Sequence, residues 1–347
     1  MTPGGYAGKY LEVDLTKEKI NEVTYSDKML RQYFGGRGLA AKVLWDNVGE
    51  KWSELDPLSP ENPLNVFTGP MTGIYPGSRI CISGKSPTSM GTVGSTAATE
   101  LANEMKQAGY DGVTFFGKAE KPVYLLMTDD GAELRDASHL WGLDGETTLI
   151  KLNKEVTEEL TKRHPNVGLW KEPGMVYIGP AGENMVRNAA VMAKICHAAG
   201  YGGYGSLMGS KNLKAVVAKG RGSLPKVDAP EAAKLLWKRT HEHLMARTGM
   251  RRQGTGYAGY SVGAETSSEP IRNWQEEWHD EKSFGGPMFE TKFWVKKKWA
   301  DFNCTTNCMK VSCIKSGPFK GDITDMPDYE LQAYCGTNFG IFDPEEN

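Results

Sequence analysis

Residues 9–25, KYLEVDLTKEKINEVTY, decide the fold class. Leu11, Val13 and Leu15 alternate with Glu12 and Asp14; a polar break follows, then Ile20 and Val23. A period of two places apolar side chains on one face of a strand, so the stretch predicts two short strands around a turn. Directly after it, SDKMLRQYF (26–34) has helical spacing, with Ser26 or Asp27 as its cap. Strand pair and helix together point to an α+β chain. The same mixture continues outward. LAAKVLWDNV (39–48), TAATELANEMKQAG (96–109) and ETTLIKLNKEVTEELTKR (146–163) predict helices. PLNVFTG (63–69), SRICISGK (78–85), DGVTFFGKA (111–119), MVYIGPAGEN (175–184) and LKAVVAKG (213–220) predict strands. PVYLLMTDDGAELRDAS (122–138) predicts a hairpin turning at Asp129, Asp130 and Gly131.

Near GRGSLPKVDAPEA (220–232) the pattern changes to helices such as APEAAKLLWKRTHEHLMAR (229–247) and longer polar loops. The expected division is residues 1–220, mixed and β-rich, and residues 221–347, mainly helical. The segment after Cys313 is short for finishing a helical domain, which suggests a fragment or one half of a split polypeptide.

The chain has 347 residues, enough for two cores, and a formal net charge of −2. That charge argues against nucleic acid or an anionic membrane as partner. No apolar run approaches the roughly 18 residues of a spanning helix, and MTPGGYAGKYLEVDL (1–15) lacks a signal peptide's regions, so a cytoplasmic protein is expected. The FWVKKKW stretch (293–299) interleaves bases and aromatics, but at this net charge it reads as a solvated helix face. RNWQEEWHDE (272–281) has no metal spacing and could lie over a substrate channel.

Two features carry chemistry. Among six cysteines, Cys304, Cys308 and Cys313 form a Cys-x3-Cys-x4-Cys run. Clustered thiolates hold zinc or iron–sulfur clusters, although this spacing is not among the commonest. Cys81 and Cys196 read as small buried hydrophobes. The second feature is glycine: FGGRGLAAK (34–42), TGPMTGIYPGSR (68–79), GTVGSTAATE (91–100), IGPAGEN (178–184) and HAAGYGGYGSLMGSKNLK (197–214). Such loops expose backbone N–H groups that can cradle phosphate; none is a Walker A loop. Arg37 and Arg79 sit where a guanidinium could reach an anion or a planar heterocycle.

GRGLA (36–40), DPLSPEN (56–62), TGPMTG (68–73), KSP (85–87), AGYDGV (108–113), GKAEKPVY (117–124), RDASHLWG (135–142), IGPAGEN and LMGSKNLKA (207–215) occur in order. On these motifs the chain, from residue 6 to its end, resembles the N-terminal half of the tungsten-containing aldehyde:ferredoxin oxidoreductases. The resemblance implies a β-rich base under a tungsten bis-pterin (tungstopterin, with molybdenum an alternative metal), followed by the start of a helical iron–sulfur domain. It implies that Arg79 contacts the pterin and that Thr96 and Ala98 line the cofactor. CHAAGYGG (196–203) stands where the family has HRAAGRGG, so His197, Ala198, Gly200 and Tyr201 take cofactor positions with two arginines lost. Ala198 would offer its carbonyl to a Mg²⁺ bridging the pterin phosphates.

The resemblance further makes Cys304, Cys308 and Cys313 ligands of a [4Fe–4S] cluster, with one extra residue in each gap. A fourth ligand would lie farther downstream in the family, and Cys335 is a fallback. Glu330, in MPDYELQAY (326–334), matches a glutamate near the tungsten; its bare reading is a helix-start carboxylate. The implied reaction oxidises an aldehyde to a carboxylic acid and passes electrons to ferredoxin or an iron–sulfur subunit. A C-terminal half on another chain and a homo-oligomer are further expectations. The alternatives are an active-site subunit of a class II benzoyl-CoA reductase-like complex and a degenerate, non-catalytic half-length module.

Overall fold

The computed structural model describes residues 2–194, 197–258, 266–281 and 285–346; Cys196 lies outside them. The chain divides into two compact units, Met1–Lys234 and Leu235–Asn347.

The first unit contains strands β1 (Lys9–Asp14), β2 (Lys19–Val23), β3 (Leu64–Phe67), β4 (Arg79–Lys85), β5 (Thr92–Ala98), β6 (Tyr110–Phe116), β7 (Val123–Thr128), β8 (Gly131–Asp136), β9 (Gly174–Tyr177), β10 (Val191–Ala193), β11 (His197–Ala199) and β12 (Leu213–Lys219). Its helices are α1 (Asp27–Tyr33), α2 (Gly36–Val48), α3 (Leu101–Gln107), α4 (Gly145–Arg163), α5 (Pro180–Glu183) and α6 (Tyr204–Ser210); α7 (Pro230–Ala246) crosses the division. The strands form two six-stranded sheets, ordered β2-β1-β6-β3-β4-β5 and β11-β10-β9-β12-β7-β8.

The alternation in β1 and β2 works as expected: Tyr10 pairs with Val23 and Val13 with Ile20 in an antiparallel ladder. The inner faces of the two sheets share one core, which joins Leu11, Val13, Val66 and Ile82 to Leu125, Val176 and Val216. Helices close both outer faces. Leu30, Leu39 and Val43 of α1 and α2 pack on Tyr10 and Phe67, and Leu152, Val156 and Leu160 of α4 pack on Tyr124, Leu126 and Val217. The i, i+4 spacing of the α4 residues is what puts them on one stripe. Ser26 caps α1 by accepting from the Met29 amide at 3.3 Å.

Two β-rich edges matter for the site. β5 ends the first sheet, β11 ends the second, and these edge strands lie against each other. Here the structure corrects one expectation. Thr96–Ala98 belong to β5 rather than to a helix, which begins only at Leu101. Thr92, Val93 and Thr96 are β-branched and pair with β4 along its whole length, and the Thr99 hydroxyl then accepts from the Leu101 amide at 3.1 Å to start the helix.

The second unit contains α8 (Thr248–Gln253), α9 (Gly286–Lys292), α10 (Tyr329–Cys335) and strands β13 (Phe293–Trp299), β14 (Met309–Ile314) and β15 (Ile323–Asp325). The strands make an antiparallel sheet, β13-β14-β15. FWVKKKW is therefore a strand and not a helix face. Its register pairs Phe293 with Ile314 and Trp299 with Met309 in an antiparallel ladder. The chain is α+β throughout, with its largest sheets in the first unit.

Candidate functional site

An open cleft of about 370 Å³ lies in the first unit, lined by residues 33–38, Phe67, Gly69, Arg79, Ile80, Cys81 and Thr96. The turn from α1 into α2 forms one wall, and the start of β4 and the middle of β5 form the other. Gly35 makes that turn possible. Its φ is +65°, and a Cβ there would stand 2.6 Å from the Thr68 carbonyl oxygen. As N-cap of α2, Gly35 brings no side chain to the helix start, and the first turn holds no acid. The Gly36 amide donates to the Thr68 carbonyl at 2.8 Å, and the amides after it, without a side-chain cap, favour an anion.

Arg37 and Arg79 supply the cleft's positive charge, and both side chains reach solvent. Gly94 of β5 seats the first of them, since a Cβ on Gly94 would come within 2.1 Å of Arg37 Cγ. Only a glycine lets the arginine lie across the strand at that point. Cys81 borders the cleft, and burial pushes its thiol up to about 12, so it remains a neutral thiol.

The structure brings together most of the residues expected to face a cofactor. Arg79 pairs with Ala98 in the β4–β5 ladder, and Cys81 with Thr96. His197 and Ala198 are on β11, opposite Ala193 and Met192 of β10. Gly200 follows β11, and Tyr201 stands 62% exposed. These positions all fall along the seam of β4, β5 and β11. The glycine-rich stretches 34–42 and 91–100 and Arg37 were expected to offer anion contacts, but the seating of Arg37 over Gly94 was not. A strand glycine carries no sign in sequence of the side chain that will cross it.

Within the second unit, Glu330 is exposed in the first turn of α10, which follows the N-cap Asp328. Cys304 and Cys308 lie partly buried between β13 and β14, whereas Cys313 is in β14 and buried. The Cys313 thiol donates to the Gly321 carbonyl at 3.5 Å. Burial, followed by the charges of Asp328 and Cys304, raises the proton affinity of Cys308. Cys335 closes α10 and is exposed. Among the described residues no group of three or more His, Cys, Asp or Glu side chains is placed to hold a metal ion. No helix among them is long and apolar enough to cross a membrane.

Comparison with known proteins decides the family. The model of the aldehyde ferredoxin oxidoreductase N-terminal domain matches residues 10–220, and the model of domains 2 and 3 matches residues 231–347. The chain belongs to the aldehyde ferredoxin oxidoreductase family. It is 54% identical to the aliphatic sulfonate oxidoreductase, WOR-like subunit, of Pyrococcus furiosus, over 98% of this chain and 55% of that protein. It is 33% identical to the tungsten-containing aldehyde ferredoxin oxidoreductase of the same organism, over 98% of this chain and 54% of that protein. A solved structure, the active-site complex BamBC of benzoyl coenzyme A reductase with 1,5-dienoyl-CoA, aligns at a TM-score of 0.72 and 27% identity. That alignment covers 98% of this chain and 54% of the other. The chain thus spans about half the length of the relatives it matches.

The family implies a tungstopterin, and the residues of the first-unit cleft fit such a group. Two guanidiniums and helix amides without a side-chain cap suit an anionic, planar group, and Gly94 leaves room for the Arg37 side chain to cross its strand. The three expected cluster cysteines fit less well. Cys313 directs its thiol at a backbone carbonyl, and the described residues do not gather the three thiols into a ligand set.

Proposed function

We propose that this chain supplies the cofactor-binding base and a proton-accepting carboxylate of a tungsten-dependent oxidoreductase that converts an aldehyde to a carboxylic acid. The cleft of Arg37, Arg79 and the α2 N-terminus carries the reading, supported by the family match across both units. When bound, a tungsten bis-pterin would supply the two-electron redox chemistry. The chain's own residues do the rest. Arg79 and Arg37 neutralise the cofactor's anionic groups, and the α2 amides add hydrogen-bond donors. Thr96 and Ala98 on β5, with His197, Ala198, Gly200 and Tyr201 on and after β11, shape the remaining contact surface.

Conversion of an aldehyde and water to an acid releases two electrons and protons, and the protons need an acceptor. Glu330 is exposed and carboxylate-bearing, which suits that role.

A second substrate class has its own support. The relative named for aliphatic sulfonate oxidation is 54% identical, against 33% for the tungsten-containing aldehyde enzyme. The test is anaerobic dye reduction by the full-length protein with aliphatic aldehydes, aliphatic sulfonates and an aromatic acyl thioester. Aldehyde-dependent reduction is expected, and Glu330→Gln should lower kcat by about 100- to 10,000-fold with tungsten retained. No reduction with any aldehyde would refute the aldehyde reading, and reduction with sulfonate alone would establish the second class.

A further inference from the structure

The turn that carries Arg37 into the cleft has no side chain of its own to hold it. Gly35 and Gly36 stand there with φ of +65° and +45°. Such a pair is free to move unless something outside it fixes it. Thr68, the buried residue directly after β3, is that outside contact. Its carbonyl accepts from the Gly36 amide at 2.8 Å. On its other side, the Thr68 amide and hydroxyl both donate to the Asp111 carbonyl, at 2.9 and 2.7 Å. Asp111 is itself anchored. Its fully buried carboxylate meets Lys106 at 2.7 Å and accepts from the Gly8 amide at 2.7 Å. Hydrogen bonds therefore run from a buried ion pair, through Thr68, to the first residue of α2.

The hydroxyl is the informative member of this chain. The last pair of the β3–β6 ladder is Phe67 with Gly112, and the Thr68 amide already extends it by one step. A carbonyl has two lone pairs, and the Thr68 hydroxyl takes the second on Asp111. One bond alone lets a residue turn about it; two donors from one β-branched residue fix its orientation, and with it the direction of its own carbonyl. We propose that Thr68 is a positioning residue of the cleft: its hydroxyl, anchored on Asp111, aims its carbonyl at Gly36 and so sets the α2 amides and Arg37 for an anionic ligand. That the ligand is a tungstopterin rests on the reading given above; the anchoring of Gly36 does not.

The test uses the full-length protein purified anaerobically from its own cells, as wild type, Thr68→Val, Thr68→Ala and Thr68→Ser. Hydrogen–deuterium exchange is resolved to the Gly36 amide by fragmentation in the mass spectrometer, and tungsten per protein is counted on the same samples. Valine keeps the branched shape without the hydroxyl, alanine removes both, and serine keeps the hydroxyl. Thr68→Val and Thr68→Ala should exchange the Gly36 amide about fivefold faster, as expected for the loss of one hydrogen bond, with α4 and β7 unchanged. Both should hold less tungsten than wild type, and Thr68→Ser should match wild type in both readouts. Unchanged Gly36 exchange in Thr68→Val and Thr68→Ala overturns the inference. So do faster exchange spread evenly over the first unit, full tungsten retention in the two variants despite a freed Gly36, and a Thr68→Ser variant as affected as Thr68→Val. Wild type without tungsten would remove the tungstopterin reading, while Gly36 exchange still decided the role of Thr68.

Discussion

The two units bury polar groups in different ways. In the first, the buried lysines are tied to partners. Lys106 meets Asp111 at 2.7 Å with both side chains fully buried, Lys214 meets Glu183, and Lys219 meets Glu104 at 2.8 Å. Lys211 donates to the carbonyls of Pro60 and Gly117, each at 3.0 Å. These cations pin loops to sheets. Lys106, for example, also donates to the Gly5 carbonyl, while Asp111 accepts from the Gly8 amide. In the second unit three acids, one buried and two half-buried, behave otherwise. Burial is the largest influence on Glu269, Asp325 and Asp328, and it raises the proton affinity of each. The first unit is a scaffold whose ionic interior holds backbone in place, and the second keeps groups that can carry protons.

The sharpest way to break that contrast is to remove one partner of a buried pair. Asp111→Ala should leave Lys106 uncompensated in the core and cost roughly 3–5 kcal/mol, read as a lower denaturant midpoint. The paired replacement of Lys106 and Asp111 by apolar residues of similar volume should cost clearly less. Equal costs would mean that the pair does not hold the N-terminal loop.

A second test uses pH. Burial pushes Lys211 down to about 7. An unfolded lysine keeps its proton to about 10.4, so between these values the unfolded state binds more protons and stability rises with pH. The slope should approach about 1.4 kcal/mol per pH unit at most, and Lys211→Met should remove it. Thermal unfolding of both proteins across that range checks this. Glu269 has the opposite sign. Its raised proton affinity gives stability that is present below the ordinary carboxylate range and lost as pH rises through its folded value, so Glu269→Gln should flatten that loss. The smallest expected effect is local: Ser26→Ala should cost about 1 kcal/mol through loss of the α1 cap, with no change in the second unit.

Much of the scaffold was legible in the sequence because each strand of the first unit carries its own pattern. The alternation at Leu11 and Val13, the Asp-Asp-Gly turn and the stripe of α4 all depend on near neighbours. The β5 strand was not legible. Thr96, Ala97 and Ala98 merge with a helical run that follows, and only pairing with β4 makes them a strand. FWVKKKW was missed because its lysine run shows no alternation, and only its pairing with the next strand, Met309–Ile314, makes it a strand. For the site, Arg37 and Arg79 were visible as candidate anion ligands, but their meeting in one cleft depends on Gly35 and Gly94. Glu269 gave no signal at all. Its hydroxyl partner, Thr337, lies 68 positions away.

The central claim is that the first-unit cleft holds a tungstopterin through its arginines. The most direct test is elemental analysis for tungsten and molybdenum in the protein purified anaerobically from its own cells, wild type beside Arg79→Ala. Stoichiometric tungsten in wild type and its loss from a folded Arg79→Ala variant are the expected results. Wild-type protein with neither metal, or an Arg79→Ala variant that keeps its full complement, would contradict the account.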